Sequence, residues 1–293
     1  MNEPNAKSVL VGTSSTIAPA SITIPNPFIA LKGANPLEWQ HVLTTVGKEI
    51  CSPLKDQLLL RGNLPRQNPG TPPLYSVSYV DKIRAARKIG DTREIRRLIP
   101  DLLDHTVQWL CKLNKVDFNF GTEDLLRVAG DPLETALCAT GAAIDGIPTY
   151  HYTDAHYRDA FKSGKRLDEI EPPYTKQDAD HIDILDLLEL LLLAQSQMSL
   201  KVPTEWNDGN YTVHMMYPTS SLMELIVVTA HIPHETALAI EEGHPTMKLV
   251  KITREIIDID LEADDDQFRN SNLFKILVGI VEMGIKVGKM TPL

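Results

Sequence analysis

Cysteine is nearly missing. Cys51, Cys111 and Cys138 are the only three in 293 residues, spaced too widely for a disulfide scaffold or a Cys-rich zinc module, and they fit a reducing compartment. Aromatic residues make up 6% of the chain, and positive charge is in deficit: 29 Lys and Arg against 39 Asp and Glu leave a net charge of −10, which argues against a uniformly basic nucleic-acid binder. Uninterrupted apolar runs long enough to cross a bilayer, ~20 residues, are also lacking. The stretches 182–194 and 273–287 fall short and carry Asp183, Asp186, Glu189, Lys275, Glu282 and Lys286, so both read as core helices. A secretory leader is not expected, because Glu3 and Pro4 replace its basic start and residues Thr13 to Thr16 interrupt its apolar centre.

Enzyme signatures are equally scarce. The sequence has no G-x-S-x-G elbow, no G-x-G-x-x-G after a strand, and no Cys with a suitably spaced His. Gly279 to Gly284 has the glycine spacing of a phosphate loop, but Ile285 stands where Lys is required, and these glycines with Gly288 read as close-packing positions in an apolar helix. The row Asp180, Asp183, Asp186 and Glu189 reads as the solvated face of a core helix. The expectation is a protein that is not an enzyme and has no cofactor.

What the chain does contain is 43% hydrophobic residues, sufficient for a buried core, and repeated helix-start signals. Asn35 to Glu38 and Asp131 to Glu134 each combine a cap, a proline at the first helical position and a Glu; Asp91 to Glu94 and Ser221 to Glu224 add two more boxes. Weaker starts lie at Thr122, Thr153, Thr175, His244 and Ser271, and Gly90, Gly130, Gly146 and Gly243 stand at expected helix stops. Strand alternation appears only around 8–11, 21–24 and 211–217, the last with Asn207 to Asn210 as an adjoining turn. The predicted fold is therefore all-α: about ten helices in one or two lobes with little or no β structure. Its divisions are an extended, apolar N-terminal arm (1–34), a helical lobe (35–200) with a Pro/Gly-rich loop at 62–73, and a second helical lobe (201–293) ending in an apolar helix.

Charge is distributed unevenly. Between 82 and 97, Lys82, Arg84, Arg87, Lys88, Arg93, Arg96 and Arg97 face only Asp91 and Glu94. Helical spacing puts Arg84, Arg87 and Lys88 on one face and Arg93, Arg96 and Arg97 on the next helix, across a break at Gly90 and Asp91. Such a helix-turn-helix corner is a candidate phosphate clamp, acting by Coulomb attraction and counterion release. Tyr75 and Tyr79 are candidates for base stacking beside it. The competing reading is a solvated face paired with acidic residues elsewhere. Arg158, Lys162, Lys165 and Arg166, and Lys248, Lys251 and Arg254 at helical spacing, are secondary basic groups.

Two further clusters have weaker claims. His231, His234 and His244, with Glu235 and Glu241, are the most ligand-like set, yet Pro233 breaks the spacing a zinc helix needs and favours a helix start. The His151 and His156 pair, flanked by Asp154 and Asp159, reads as structural. The acidic run from Asp258 to Asp266 fails the EF-hand pattern, since Ala263 and Arg269 stand where Gly and Glu belong, and reads as a solvated acidic turn or a docking surface for a basic partner.

The expected function is a non-enzymatic, self-assembling protein that packages nucleic acid, of the nucleoprotein or capsid kind. It would associate with itself through the arm and the C-terminal helix, bind RNA, lie in the cytoplasm or a virion, and avoid membranes. In architecture so read it is similar to viral nucleoproteins, whose helical lobes grip RNA. The alternatives are a helical adaptor docking an acidic protein and, behind it, a helical metal-dependent enzyme built on the His231 to His244 cluster.

Overall fold

A computed structural model describes residues 23–31, 76–120, 126–132, 139–154, 184–219, 221–259 and 265–291. In chain order these form β1 (Thr23–Pro25), a 3-10 turn (Pro27–Leu31), α1 (Ser76–Lys88), α2 (Thr92–Asn114), β2 (Phe118–Phe120), β3 (Arg127–Val128), β4 (Asp131–Pro132), β5 (Ala139–Ile144) and β6 (Ile147–Thr153). There follow α3 (Ile184–Ser199), a 3-10 turn (Glu205–Asn207), β7 (Asn210–Pro218), β8 (Glu224–Pro233), α4 (His234–Glu242), β9 (Thr246–Lys248), β10 (Lys251–Asp258), α5 (Asp265–Asn270) and α6 (Asn272–Met290).

The all-α expectation is overturned. Six α-helices share the described residues with ten strands, and the centre of the molecule is a six-stranded mixed sheet in the order β10-β8-β7-β6-β5-β2. Every neighbouring pair is antiparallel except β6 and β7, which run parallel. The sheet takes strands from both sides of residue 200. The analogy to helical nucleoprotein lobes falls with the all-α reading.

The reason lies in burial on both faces. On β7, Tyr211, Val213, Met215 and Tyr217 join Ile232, Ala230, Val228 and Ile226 of β8 in one core with α3 and α4. Met216, Val227 and Leu225 belong to a second core on the opposite face, with α1, α2, α5 and α6. A strand covered on both faces need carry no polar alternation, and Leu225 to Val228 of β8 carries none. Thus Ser221 to Glu224 is the turn leading into β8, Asp131 and Pro132 form a strand, and Thr246 to Lys248 after His244 pair with β1 rather than starting a helix. Gly130 and Gly146, expected at helix stops, sit in hairpin turns. Asp145 (φ 54°) and Gly146 (φ 76°) both have positive φ, the two-residue geometry that suits the twist of β5 and β6.

Other signals hold. Asp91 caps α2, its Oδ1 accepting from the Glu94 amide at 2.9 Å; Ser271 caps α6, its Oγ accepting from the Phe274 amide at 3.1 Å; Gly243 closes α4 in the left-handed conformation. The strands expected near 21–24 and 211–217 are β1 and β7. Residues 32–75, with the loop at 62–73 and Tyr75, and the starts at Asn35, Thr122 and Thr175 lie outside the described residues, as does the strand expected at 8–11. Of the apolar arm, residues 23–31 fold onto the protein's own body. Thr23 to Pro25 pair with Lys248 to Thr246, Phe28 is fully buried, and the Asn26 amide donates to Ala239 O (3.0 Å) and His244 O (2.8 Å).

No helix among the described residues is long and apolar enough to cross a membrane. Helix α6 is instead a core element, with Leu273, Phe274, Ile276, Leu277, Ile280 and Val281 buried. Gly284 permits its approach to the sheet: a Cβ there would lie 2.8 Å from Ile144 Cβ and 2.9 Å from its Cγ2. Replacing it by alanine forces helix and strand apart, and Gly284→Ala is expected to cost about 1–3 kcal/mol. Thermal denaturation followed by circular dichroism checks this; an unchanged midpoint would show that the contact yields freely.

Candidate nucleic-acid interface

Helices α1 and α2 pack antiparallel with their turn at Ile89 to Asp91, so the seven predicted cations do fall on one helical corner. They divide into two groups by what they touch. Arg87 reaches across to the β7–β8 connection and donates from Nη2 to Leu222 O at 2.7 Å. It thereby secures a buried leucine held at φ 57°, an uncommon conformation for a residue with a Cβ. Arg96 is ion-paired with Asp154 at the end of β6; the two side chains are 14% and 6% exposed, so this pair fastens α2 to the sheet. Arg97 grips Glu94 through two bonds (2.9 and 2.6 Å) and Asp101 through a third (3.1 Å). Those contacts raise the Arg97 pKa and lower that of the Glu94 carboxyl.

The second group faces solvent. Lys82, Arg84, Lys88 and Arg93 are exposed, and among the described residues Arg84, Lys88 and Arg93 have no ion-pair partner. Arg84 and Lys88, four residues apart on α1, share a face. Lys82 lies over the Tyr79 ring at 4.9 Å from its centroid, and that ring stacks on His105 of α2 at 4.8 Å. Ile89, at the tip of the corner, is 79% exposed.

The histidine cluster does not assemble. His231 Nδ1 is 2.9 Å from Thr212 Oγ1, His234 Nδ1 is 2.7 Å from the Tyr211 hydroxyl at the start of α4, and exposed His244 pairs with Glu242 at 2.7 Å. Among the described residues no group of three or more His, Cys, Asp or Glu could hold a metal ion. Lys248, Lys251 and Arg254 lie on β9 and β10 instead of one helical face, and Lys248 bonds Glu235 at 2.7 Å. Arg158, Lys162, Lys165, Arg166, His156 and residues 260–264 of the acidic run lie outside the described residues. Cys111 is buried, its thiol pushed up to about 12 by desolvation and by Asp145, a setting that suppresses the thiolate.

Of the acidic row read as a wet helix face, Asp180 and Asp183 lie outside the described residues, and Asp186 and Glu189 have the opposite placement. Asp186 and Glu189 of α3 are both 1% exposed. Asp186 accepts from the Tyr217 hydroxyl at 3.1 Å, and Glu189 Oε2 lies 3.8 Å from His151 Nδ1 on β6. Gln195 completes this interior polar layer by imitating a strand: its Oε1 accepts from the Arg127 amide (2.8 Å) and its Nε2 donates to Arg127 O (2.9 Å). The signal that could have revealed it is a leucine-rich helix with no solvated stripe left to hold its carboxylates.

On the α2 side, Asp104 accepts from the Tyr150 hydroxyl at 3.2 Å, and desolvation pushes its carboxyl up to about 6, the Tyr150 bond acting in the opposite sense. No known protein family matches the chain, and neither a curated protein nor a solved structure matches it.

Two stability measurements follow from these placements. Removing one partner of the Arg96–Asp154 pair strands the other in a mostly buried position, so Arg96→Ala is expected to lose about 3 kcal/mol in urea denaturation; a loss below ~0.5 kcal/mol would mark the pair as a surface bridge. For Asp104, the folded protein binds its proton up to about pH 6 while an unfolded aspartate releases it near 3.8, so this group destabilises the fold as pH rises through that window. Asp104→Asn should be more stable than the native protein by about 1–3 kcal/mol at pH 7, with the difference fading below pH ~4.

Proposed function

We propose that the protein is a non-enzymatic, self-assembling nucleic-acid-binding protein whose α1–α2 corner takes the phosphate backbone. The observation that carries this reading is the exposed set Lys82, Arg84, Lys88 and Arg93, of which the last three have no ion-pair partner among the described residues, on a molecule of net charge −10. Internal neutralisation would have been the default on so acidic a surface. Phosphates attract such a set without any demand on base sequence, and the absence of a groove-reading motif fits backbone binding. Arg87 and Arg96 hold the helices of the corner on the rest of the fold, and Arg97 is satisfied by Glu94 and Asp101 along α2. The self-assembling part of the proposal rests on the apolar residues Val9, Leu10, Val11 and Ile17, since Thr23–Leu31 and α6 are engaged in the protein's own core.

One observation favours a second reading, an adaptor docking an acidic protein. Ile89 projects from the tip amid these cations, and Asp81, Glu94 and Asp101 interleave with them. An apolar tip in a mixed-charge rim suits a protein partner better than a phosphate chain.

The two are separated by a filter-binding titration against single-stranded RNA at several salt concentrations. With three or four phosphates neutralised, affinity should fall by roughly 20- to 50-fold between 50 and 200 mM salt. The variant Arg84→Glu, Lys88→Glu, Arg93→Glu should abolish binding while leaving the free energy of unfolding within about 1 kcal/mol of the native protein. Salt-independent retention, or retention undiminished in that variant, would remove the corner from the interface. Sizing chromatography of a chain lacking residues 1–22 addresses assembly: particles of unchanged size would exclude the arm.

A further inference from the structure

The same three-residue pattern occurs on two neighbouring strands: Thr212-Val213-His214 on β7 and Thr229-Ala230-His231 on β8. Antiparallel register sets Thr212 opposite His231 and His214 opposite Thr229, and each imidazole Nδ1 lies 2.9 Å from the hydroxyl it faces. The two rings are thus interlocked diagonally on one face of the sheet. His214 also registers with Tyr150 across the parallel β6–β7 junction, which consists of three residue pairs, Tyr150 to Tyr152 with His214 to Met216. His214 is 1% exposed, and among the described residues its Nε2 has no hydrogen-bond partner.

The charged and titratable groups on this face are few. From β8 comes His231, and from β10 come Lys251, opposite His231, and Glu255, four residues further along the strand. Tyr150 of β6 directs its hydroxyl to Asp104 of α2, Asp154 just past β6 is paired with Arg96 of α2, and Cys111 of α2 and Arg269 of α5 are buried in the same core. Helix α6, which crosses β5, β6 and β10 here, exposes Glu282, Lys286 and Lys289 and half-buries Lys275. No carboxylate is bonded to either imidazole of the interlocked pair among the described residues. A proton on His214 would therefore create an enclosed cation beside a second imidazole and a lysine.

We propose that His214, locked against His231, makes the β6–β7 junction an acid-operated release: on acidification a proton on the enclosed His214 finds no bonded carboxylate among the described residues beside this three-pair contact, and the two halves of the sheet part there. Burial, with His231 adding to it, holds His214 down at about 3, and burial together with Lys251 lowers His231. An opened chain takes up that proton near pH 6.5, so the closed sheet loses stability as pH falls below that value. For His214 alone the opening constant rises up to ten-fold per pH unit between about 6 and 4. Asp104 works in the other direction over part of this range, its closed-state carboxyl accepting a proton first. On the far face, His151 stands 3.8 Å from Glu189. Both are common to the native protein and its variants, so they cancel in a difference between them.

The experiment is urea denaturation of the full chain and of His214→Gln at pH 7.5, 6 and 5, with hydrogen exchange at the same pH values. The ratio of the native opening constant to that of the variant should grow about ten-fold from pH 6 to pH 5, and in the native protein the amides of 150–152 and 214–216 should lose protection before those of β8 paired with β10. A ratio that stays flat, or junction amides that exchange together with the rest of the sheet, overturns the proposal. Should His214→Gln fail to fold, His231→Gln serves in its place: it keeps the buried ring, removes the second imidazole, and is expected to move acid opening to lower pH. An unmoved transition in that variant overturns the proposal equally.

Discussion

Three residue pairs along β6 and β7 make one sheet out of two. On one side of them stands the antiparallel set β2, β5 and β6, on the other β7, β8 and β10. Parallel neighbours cannot be joined by a tight turn, so the chain must leave the sheet after β6 and return, and α3 lies on that path. Its position explains its composition. Residues 186–197 are buried on every side, which the run of leucines satisfies easily, whereas Asp186, Glu189, Gln195 and Gln197 must find partners inside. Asp186, Gln195 and Gln197 find them in hydrogen bonds to Tyr217, the Arg127 backbone and Pro148 O, and Glu189 lies 3.8 Å from His151, so that the crossover is tied to β6, β7 and β3 in a single arrangement.

The opposite face is organised by charge as well as by packing. Seven cations clustered in sequence act at three depths: Arg96 closes a nearly buried ion pair, Arg87 holds a loop carbonyl, and Arg97 is satisfied along its own helix, while the remainder meet solvent. A count of charges along the chain therefore overstates the potential that a ligand would meet at the corner. Half-buried arginines with fixed partners contribute to the geometry of the surface more than to its field.

What could be read from the residues was local. Asp91 and Ser271 announced their helices because an N-cap acts through bonds to amides two or three residues away, and the α1–α2 corner followed from that. β7 announced itself through the alternation of Tyr211 to Tyr217. β8 did not, since Leu225 to Ile232 is apolar on both sides and carries no period that distinguishes a doubly covered strand from a helix. A helix over 224–233 would leave no central sheet, and without one Asp186 and Glu189 have no interior to occupy. Of the candidate interface, the location was legible and the division of labour was not, because Asp154 and Leu222, which claim Arg96 and Arg87, stand 58 and 135 residues away.

The short ladder between β1 and β9 joins residues separated by most of the chain, Thr23 with Lys248, and Asn26 and Phe28 are set into a cradle built by α4 and its flanking backbone. Nothing can receive that early stretch until residue 248 has been synthesised. During translation it must wait as an unsheltered apolar tether, and its capture is among the last events of folding rather than the first. A chain cut anywhere between residues 31 and 246 leaves Thr23 to Leu31 without the ladder and cradle that bury Phe28.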